Sequence, residues 1–250
     1  LKKHEVQASS KRIRGRIFVR TEQVEAAARL LQGVFGLVSV SPAVSVKLGA
    51  PDRALQAIND AAVNLLKGKS FDSFRITTKR VNKDFMKTSN DVDIAVGAHI
   101  VDTLHKKVSL KRFDIELGIE IYEDALLFTG RFPCPGGIPV GMSGRVLCYI
   151  EKEDDLLAAW LMLKRGCEIV LAGNEVSLDF FSRYSDTPEN MIRMENIEDL
   201  NKISEEHRCK AIVLPYALEK IKAIKTASLV LYPLVTYTEE EMIEQIKKLR

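Results

Sequence analysis

Two short stretches of this chain concentrate side chains that can act on something outside the protein. From Lys79 to Lys87 the residues Lys79, Arg80, Lys83 and Lys87 put four cations in nine positions, with Phe85 among them. Each cation can pair with a phosphate, and the ring offers a face for a base or a wedge for packing. Because exposed loops are usually charged, a solvated loop is the competing reading. The second stretch is Glu151-Lys152-Glu153-Asp154-Asp155, between the apolar run Val146 to Ile150 and an apolar segment holding Leu156, Trp160 and Leu163. In nucleotide-binding α/β domains such a strand-to-helix turn holds phosphate, because backbone N–H groups converge there and glycines let the anion approach. This turn has no glycine, and four of its five residues are acidic. Two unit charges at contact distance repel by about 1 kcal/mol in water and several times that in a partly buried turn, so a triphosphate is disfavoured here. Carboxylates at a helix N-terminus are ordinary stabilisers, and a solvated capping turn is the expectation. The alternative is an acidic group that holds Mg²⁺ and bridges it to phosphate.

The four cysteines supply no further chemistry by spacing. Cys134, Cys148, Cys167 and Cys209 form no CxxC and have no histidine at ligand spacing, so neither a zinc site nor a dithiol site is expected. Cys148 and Cys167 lie in apolar runs and read as core, and Cys209 reads as an unreactive thiol. His99 has no nucleophile or carboxylate constellation beside it. No catalytic residue and no metal ligand is assigned.

The elements that must position these residues follow from periodicity. Arg145 to Ile150 is apolar enough for a strand buried on both faces, and the helix after it stops at Lys164-Arg165-Gly166. Strands at about 167–172, 211–214 and 229–232 alternate with helices near 197–206, 218–225 and a last one holding Met242, Ile243, Ile246 and Leu249, which argues for a parallel sheet. Nearer the start, residues 12–46 read as strand, helix and strand, the helix burying Val24, Ala27, Ala28 and Leu31. Helices over 52–67 and 90–104 and strands over 74–78, 115–119 and 126–129 follow. Pro133-Cys134-Pro135-Gly136-Gly137 then breaks the chain.

With 250 residues, 46% hydrophobic and 28% charged, the chain is globular and long enough for more than one unit. No apolar run reaches membrane-spanning length and no signal-peptide pattern opens it, so a cytoplasmic location and no membrane partner are expected. Charge is uneven. Residues 1–50 hold nine Lys/Arg against three Asp/Glu, a net +6, whereas residues 143–250 hold fifteen against nineteen, a net −4. A basic front suits a polyanion, bound more tightly at low salt.

The run from Gly136-Gly137-Ile138-Pro139-Val140-Gly141 through Ser143-Gly144-Arg145-Val146-Leu147 to Leu161-Met162-Leu163-Lys164-Arg165-Gly166 closely resembles the tRNA 4-thiouridine synthetases of the ThiI type. Thr78-Lys79-Arg80-Val81-Asn82-Lys83-Asp84-Phe85 is similar to that family's Ala-Lys-Arg-Ala-Asp-Lys-Ser-Phe stretch. The resemblance implies an α/β fold in three parts. These are a partial ferredoxin-like domain (1–46), a THUMP RNA-binding domain (47–132) and, after a linker (133–144), a parallel-sheet, Rossmann-like PP-loop domain of the ATP-pyrophosphatase type (145–250). The first half of the ferredoxin-like domain has no counterpart in this sequence, so an upstream segment, or a second copy covering the sheet edge, is expected. The family's Ser-Gly-Gly-(Ile/Phe)-Asp-Ser turn falls on Glu151 to Asp155, where only Asp154 matches a motif residue. Its Thr-Gly-Glu/Asp-Ser turn falls on Pro215-Tyr216-Ala217, and its relay cysteine has no counterpart between Tyr184 and His207.

The resemblance therefore implies a protein that binds tRNA or another structured RNA through Lys79, Arg80, Lys83, Lys87 and Arg131. Its nucleotide loop, Glu151, Lys152, Glu153, Asp154 and Asp155, is degenerate and it takes no cofactor. Motif loss argues against ATP-dependent catalysis by this chain. The alternatives are an active tRNA sulfurtransferase using ATP and Mg²⁺, or an interaction subunit for a catalytic protein partner; a homodimer is a further possibility.

Overall fold

In chain order the elements are Ser9–Ile13 (β1), Arg16–Arg20 (β2), Val24–Leu31 (α1), Ser39–Val40 (β3), Val44–Lys47 (β4), Pro51–Leu66 (α2), Ser73–Arg80 (β5), Ser89–Leu104 (α3), Lys107–Val108 (β6), Ile115–Ile121 (β7), Asp124–Phe128 (β8), Phe132–Pro133 (β9), Arg145–Ile150 (β10), Leu156–Lys164 (α4), Glu168–Gly173 (β11), Ile192–Arg193 (β12), Leu200–Glu206 (α5), Ala211–Val213 (β13), Leu229–Leu231 (β14) and Glu239–Leu249 (α6). The computed structural model describes residues 1, 5–13, 15–194, 196–218, 221 and 226–249. They divide into two compact units, Ser41–Phe132 and a second made of Leu1–Val40 together with Pro133–Arg250. Among the described residues no helix is long and apolar enough to cross a membrane.

The unit Ser41–Phe132 is a five-stranded mixed sheet in the order β4-β8-β7-β5-β6. β5 runs parallel to β7, and β8 runs antiparallel to both β7 and β4. The two-residue period of β5 turns Phe74 and Ile76 into the core and leaves Arg75, Thr77 and Lys79 on the opposite face. Onto the core face pack α2, through Ile58, Ala62 and Leu66, and α3, through Val92, Val96 and Ile100. α3 starts where it does because Thr88 Oγ1 accepts the N–H of Asp91 at 3.2 Å while Asp91 Oδ2 accepts the N–H of Thr88 at 2.9 Å. This reciprocal box satisfies two donors that the first turn would otherwise leave open. His105 ends the helix in the left-handed region at φ 54°.

The other unit is built on a five-stranded parallel sheet, in the order β12-β11-β10-β13-β14. β10 is central, with Val146, Leu147, Cys148 and Ile150 all buried. α4 crosses from β10 to β11 and is buried nearly all round, as expected for a helix with almost no polar face. Since β11 lies on one side of β10 and β13 on the other, the strand order reverses at the carboxyl ends of β10 and β13, where open α/β sheets form their ligand crevice. The N-terminal segment belongs to this unit through Phe35, which meets Trp160 edge-on at 5.9 Å and stacks on Tyr184 at 5.4 Å. Close approach of Arg183 O to Gly33 leaves no room there for a Cβ.

Two expectations change. β2 pairs antiparallel with β1, a polar strand that carries no apolar alternation to announce it. Val24, expected in the core, is 39% exposed, because α1 turns Ala27 and Ala28 inward instead. The helix expected at 218–225 falls mostly outside the described residues.

Candidate functional site

The cationic loop runs from the end of β5 to the start of α3. Its base is fixed by the N–H groups of Val81 and Asn82, both donating to Ile121 O at 2.9 Å. Phe85 packs half-buried against the core of its unit. Arg80 turns inward: its Nη1 donates to Phe85 O at 2.8 Å and to Lys83 O at 3.4 Å, so the guanidinium ties the loop to itself. Lys79, Lys83 and Lys87 are exposed. Lys79 pairs in register with Glu120, whose Oε2 accepts from Tyr122 Oη at 2.8 Å. Thr88 lowers the pKa of Asp91 through its two hydrogen bonds, and the charges of Lys87 and Arg80 add to this. Arg131 is exposed, and its charge helps hold Glu116 below the usual carboxylate range, after the hydrogen bonds from Thr77 and Arg75. Residue spacing did not single out Val81 and Met86, which expose apolar surface on the same loop.

At the strand-order reversal of the parallel sheet stands the acidic turn. Glu153–Asp155 forms one 3₁₀ turn that leads into α4. Asp155, only 5% exposed, folds back so that Oδ2 accepts the backbone N–H of Glu151 at 2.8 Å and of Lys152 at 3.0 Å. Burial pushes its carboxyl up, and these two bonds only partly oppose that. Lys152 Nζ reaches Asp154 Oδ2 at 3.4 Å. Glu151 Oε1 accepts from Tyr149 Oη at 3.4 Å and Tyr216 Oη at 3.5 Å, while Glu151 O accepts from Asn174 Nδ2 at 2.8 Å. Desolvation, reinforced by the Glu151 charge, raises both tyrosine hydroxyls. Gly173 at φ 138° lies so close to Ile150 O that a Cβ would collide with it, which keeps β10 and β11 tight at this end. Asn174 and Tyr216 come from distant positions and carried no signal toward Glu151.

Burial raises the pKa of all four thiols, Cys134, Cys148, Cys167 and Cys209, away from the thiolate. His99 is half-buried. Among the described residues no group of three or more His, Cys, Asp or Glu side chains is placed to hold a metal ion.

The THUMP domain family matches residues 52–129. A probable tRNA sulfurtransferase of Thermococcus kodakarensis is 35% identical over 164 residues, covering 62% of this chain and 42% of that protein. One from Methanocaldococcus jannaschii is 36% identical over 182 residues, covering 68% and 46%. The chain thus spans less than half the length of these curated relatives. Among solved structures, PH1313 from Pyrococcus horikoshii superposes with a TM-score of 0.83 at 27% identity, over 99% of this chain and 88% of that one. A 4-thiouridine synthetase in complex with RNA and ATP gives 0.75 at 21% identity, over 97% and 76%. The α/β architecture, with a parallel sheet in one unit and a THUMP unit, is that of these structures.

Proposed function

Since the chain is a THUMP-domain protein of the ThiI family, related to tRNA sulfurtransferases, we propose that it binds tRNA through its cationic loop and does not bind ATP at its acidic turn. The observation that carries this reading is the folding back of Asp155. In a phosphate-binding turn the backbone N–H groups point at the anion. Here the N–H groups of Glu151 and Lys152 are taken by a carboxylate of the same turn, and Glu151, Glu153 and Asp154 surround it with further negative charge. ATP with Mg²⁺ does not fit this donor set, and the raised thiols supply no activated nucleophile for sulfur transfer. In this reading residues 47–132 bind RNA, residues 145–250 serve as scaffold or partner surface, and 133–144 join them.

Lys79, Lys83, Lys87 and Arg131 pair with phosphates. Arg80 acts indirectly, by holding the loop's carbonyls so that Lys83 and Lys87 stand outward. The sulfurtransferase reading keeps its support from the names of the relatives, and also from a structural neighbour that holds both RNA and ATP. Equilibrium binding of an unmodified tRNA transcript across a salt series, with and without Mg-ATP, separates the two. Binding indifferent to ATP, with a log–log salt slope that falls by roughly 1.8 in a Lys83→Gln/Lys87→Gln variant, is the expected result. A dissociation constant that moves with ATP would overturn the scaffold reading, and an unchanged slope would remove the loop assignment.

A further inference from the structure

The parallel sheet leaves one strand edge half open. β12 meets β11 only through Ala172 with Ile192 and Gly173 with Arg193, so Glu168 to Leu171 have β10 on one side and no strand on the other. The crossover between the two strands, residues 174–191, holds a single 3₁₀ turn, Asp179–Phe181, where parallel strands are usually joined by a helix. Bonds at the two ends of β11 fix which backbone groups face the gap. The N–H groups of Glu168 and Asn174 donate to Gly144 O and Ile150 O, each at 2.9 Å, so even-numbered residues face β10. Gly173 O accepts the N–H of Met194 at 3.3 Å, so odd-numbered residues face the other way. Ile169 and Leu171 therefore direct their N–H groups into the gap, about 7 Å apart, and among the described residues neither donates to a partner there. Leu171 is 1% exposed, and a buried donor left open costs about as much as a lost hydrogen bond.

A cavity of about 400 Å³ lies along this edge, with Asp186 to Ile192 among its walls and Arg145 and His207 near the Glu168 end. The Arg145 guanidinium is already engaged, by Glu168 Oε2 at 2.8 and 3.0 Å and by His207 O at 3.2 Å. Asp186 is exposed, and among the described residues no cation lies within ion-pair distance of it. We propose that this edge is a docking groove for an extended segment of a partner protein that carries Lys or Arg, adding a strand beside Glu168–Leu171 and setting its cation against Asp186. Ile169 and Leu171 turn their side chains to one core and Val170 to the other, so the groove offers backbone. Donors two residues apart repeat at the period of another extended chain. A nucleobase presents its polar groups on one ring edge, and no Phe, Tyr or Trp lines the cavity to stack it. The net −4 of residues 143–250 favours a basic partner over an acidic one. The groove goes beyond the RNA reading and stands whether or not the cationic loop binds tRNA.

The test uses the full chain and a fluorescein-labelled synthetic peptide, acetyl-Thr-Val-Lys-Val-Thr-Val amide, read by fluorescence anisotropy, with amide hydrogen exchange followed by NMR. Saturable binding that slows exchange at Ile169 and Leu171 is expected. Two further peptides are N-methylated at alternate residues, one in each alternation. A docked strand turns only one set of its N–H groups to β11, so one of them should bind about tenfold or more weakly and the other within about twofold of the parent. Asp186→Asn should weaken the parent peptide about two- to fivefold and leave unchanged a peptide with Thr in place of Lys. No binding and unchanged exchange at millimolar peptide would overturn the proposal, as would equal binding of both N-methylated peptides. Equal losses for the Lys and Thr peptides in Asp186→Asn would overturn the cation contact. Displacement of the peptide by an unmodified tRNA transcript would make the groove an RNA surface and overturn the protein-partner assignment, while leaving the RNA reading of the loop standing.

Discussion

Replacing Asp155 with alanine removes the acceptor of two backbone N–H groups while leaving the helix that follows intact. Hydrogen bonds to a charged acceptor contribute about 1.5–3 kcal/mol each, and a buried donor left open costs about 1–3 kcal/mol. Two features reduce the sum: the carboxylate itself is costly to bury, and both bonds are only part-buried, at the exposed residues Glu151 and Lys152, where water can take up the freed donors. A net loss of about 2 kcal/mol is expected, a fall in melting temperature of roughly 4–8 °C for a unit of this size. Urea unfolding of wild type and variant at neutral pH reads it directly. The pH dependence is a sharper check. Burial raises the folded-state pKa of Asp155 above its ordinary 3.8, so the folded state takes up this proton before the unfolded state does. The wild type therefore gains stability from this group as pH falls from its raised folded value to 3.8, and the gap to the variant should widen there. A destabilisation below about 0.5 kcal/mol would refute the account of the turn as clamped by its own carboxylate, whereas a gap that narrows on acidification would mean that the two N–H bonds outweigh burial at Asp155.

Two further outcomes concern the unit 41–132. His105, at φ 54°, holds a conformation that costs a side-chain-bearing residue about 1 kcal/mol, so His105→Gly should raise the urea midpoint by an amount corresponding to up to that figure. Asp114 accepts the N–H groups of Asp72 and Ser73 and the Ser73 hydroxyl, which holds its carboxyl below the usual range. Its contribution is present above pH 3.8 and lost as pH falls through the depressed value, so Asp114→Asn should flatten the acid limb of a melting-temperature profile.

Much of the scaffold is legible in the sequence because its signals are local. Arg145 to Ile150 announces a buried central strand by composition alone, and the apolar spacing over 90–104 announces α3. β1 is not legible in the same way. Its register is set by pairing with β2, and its Ser-Ser-Lys-Arg-Ile sequence has no apolar face to declare it. For the candidate sites the residue types are legible and their directions are not. Charge identifies Arg80 with its lysine neighbours, but whether a guanidinium faces solvent or two carbonyls of its own loop depends on how that loop closes. Similarly, four acids in a turn predict repulsion, while only the fold decides that one of them takes the turn's own N–H groups.

The discontinuity of the larger unit sets an order of events during synthesis. Phe35 finds its aromatic partners at Trp160 and Tyr184, and Leu37 meets Gly136, whose N–H donates to Leu37 O at 2.8 Å. Residues 41–132 lie between these partners in the chain and make their own core from within that stretch. At roughly 5–20 residues per second, the apolar side of α1 waits several seconds or longer on the ribosome before residue 160 is made. In that interval the segment 41–132 can complete its fold first, since domains generally fold as units. The segment up to residue 40 is thus translated before 41–132 but gains its aromatic partners only after that stretch and the chain to Trp160 and Tyr184 have been made.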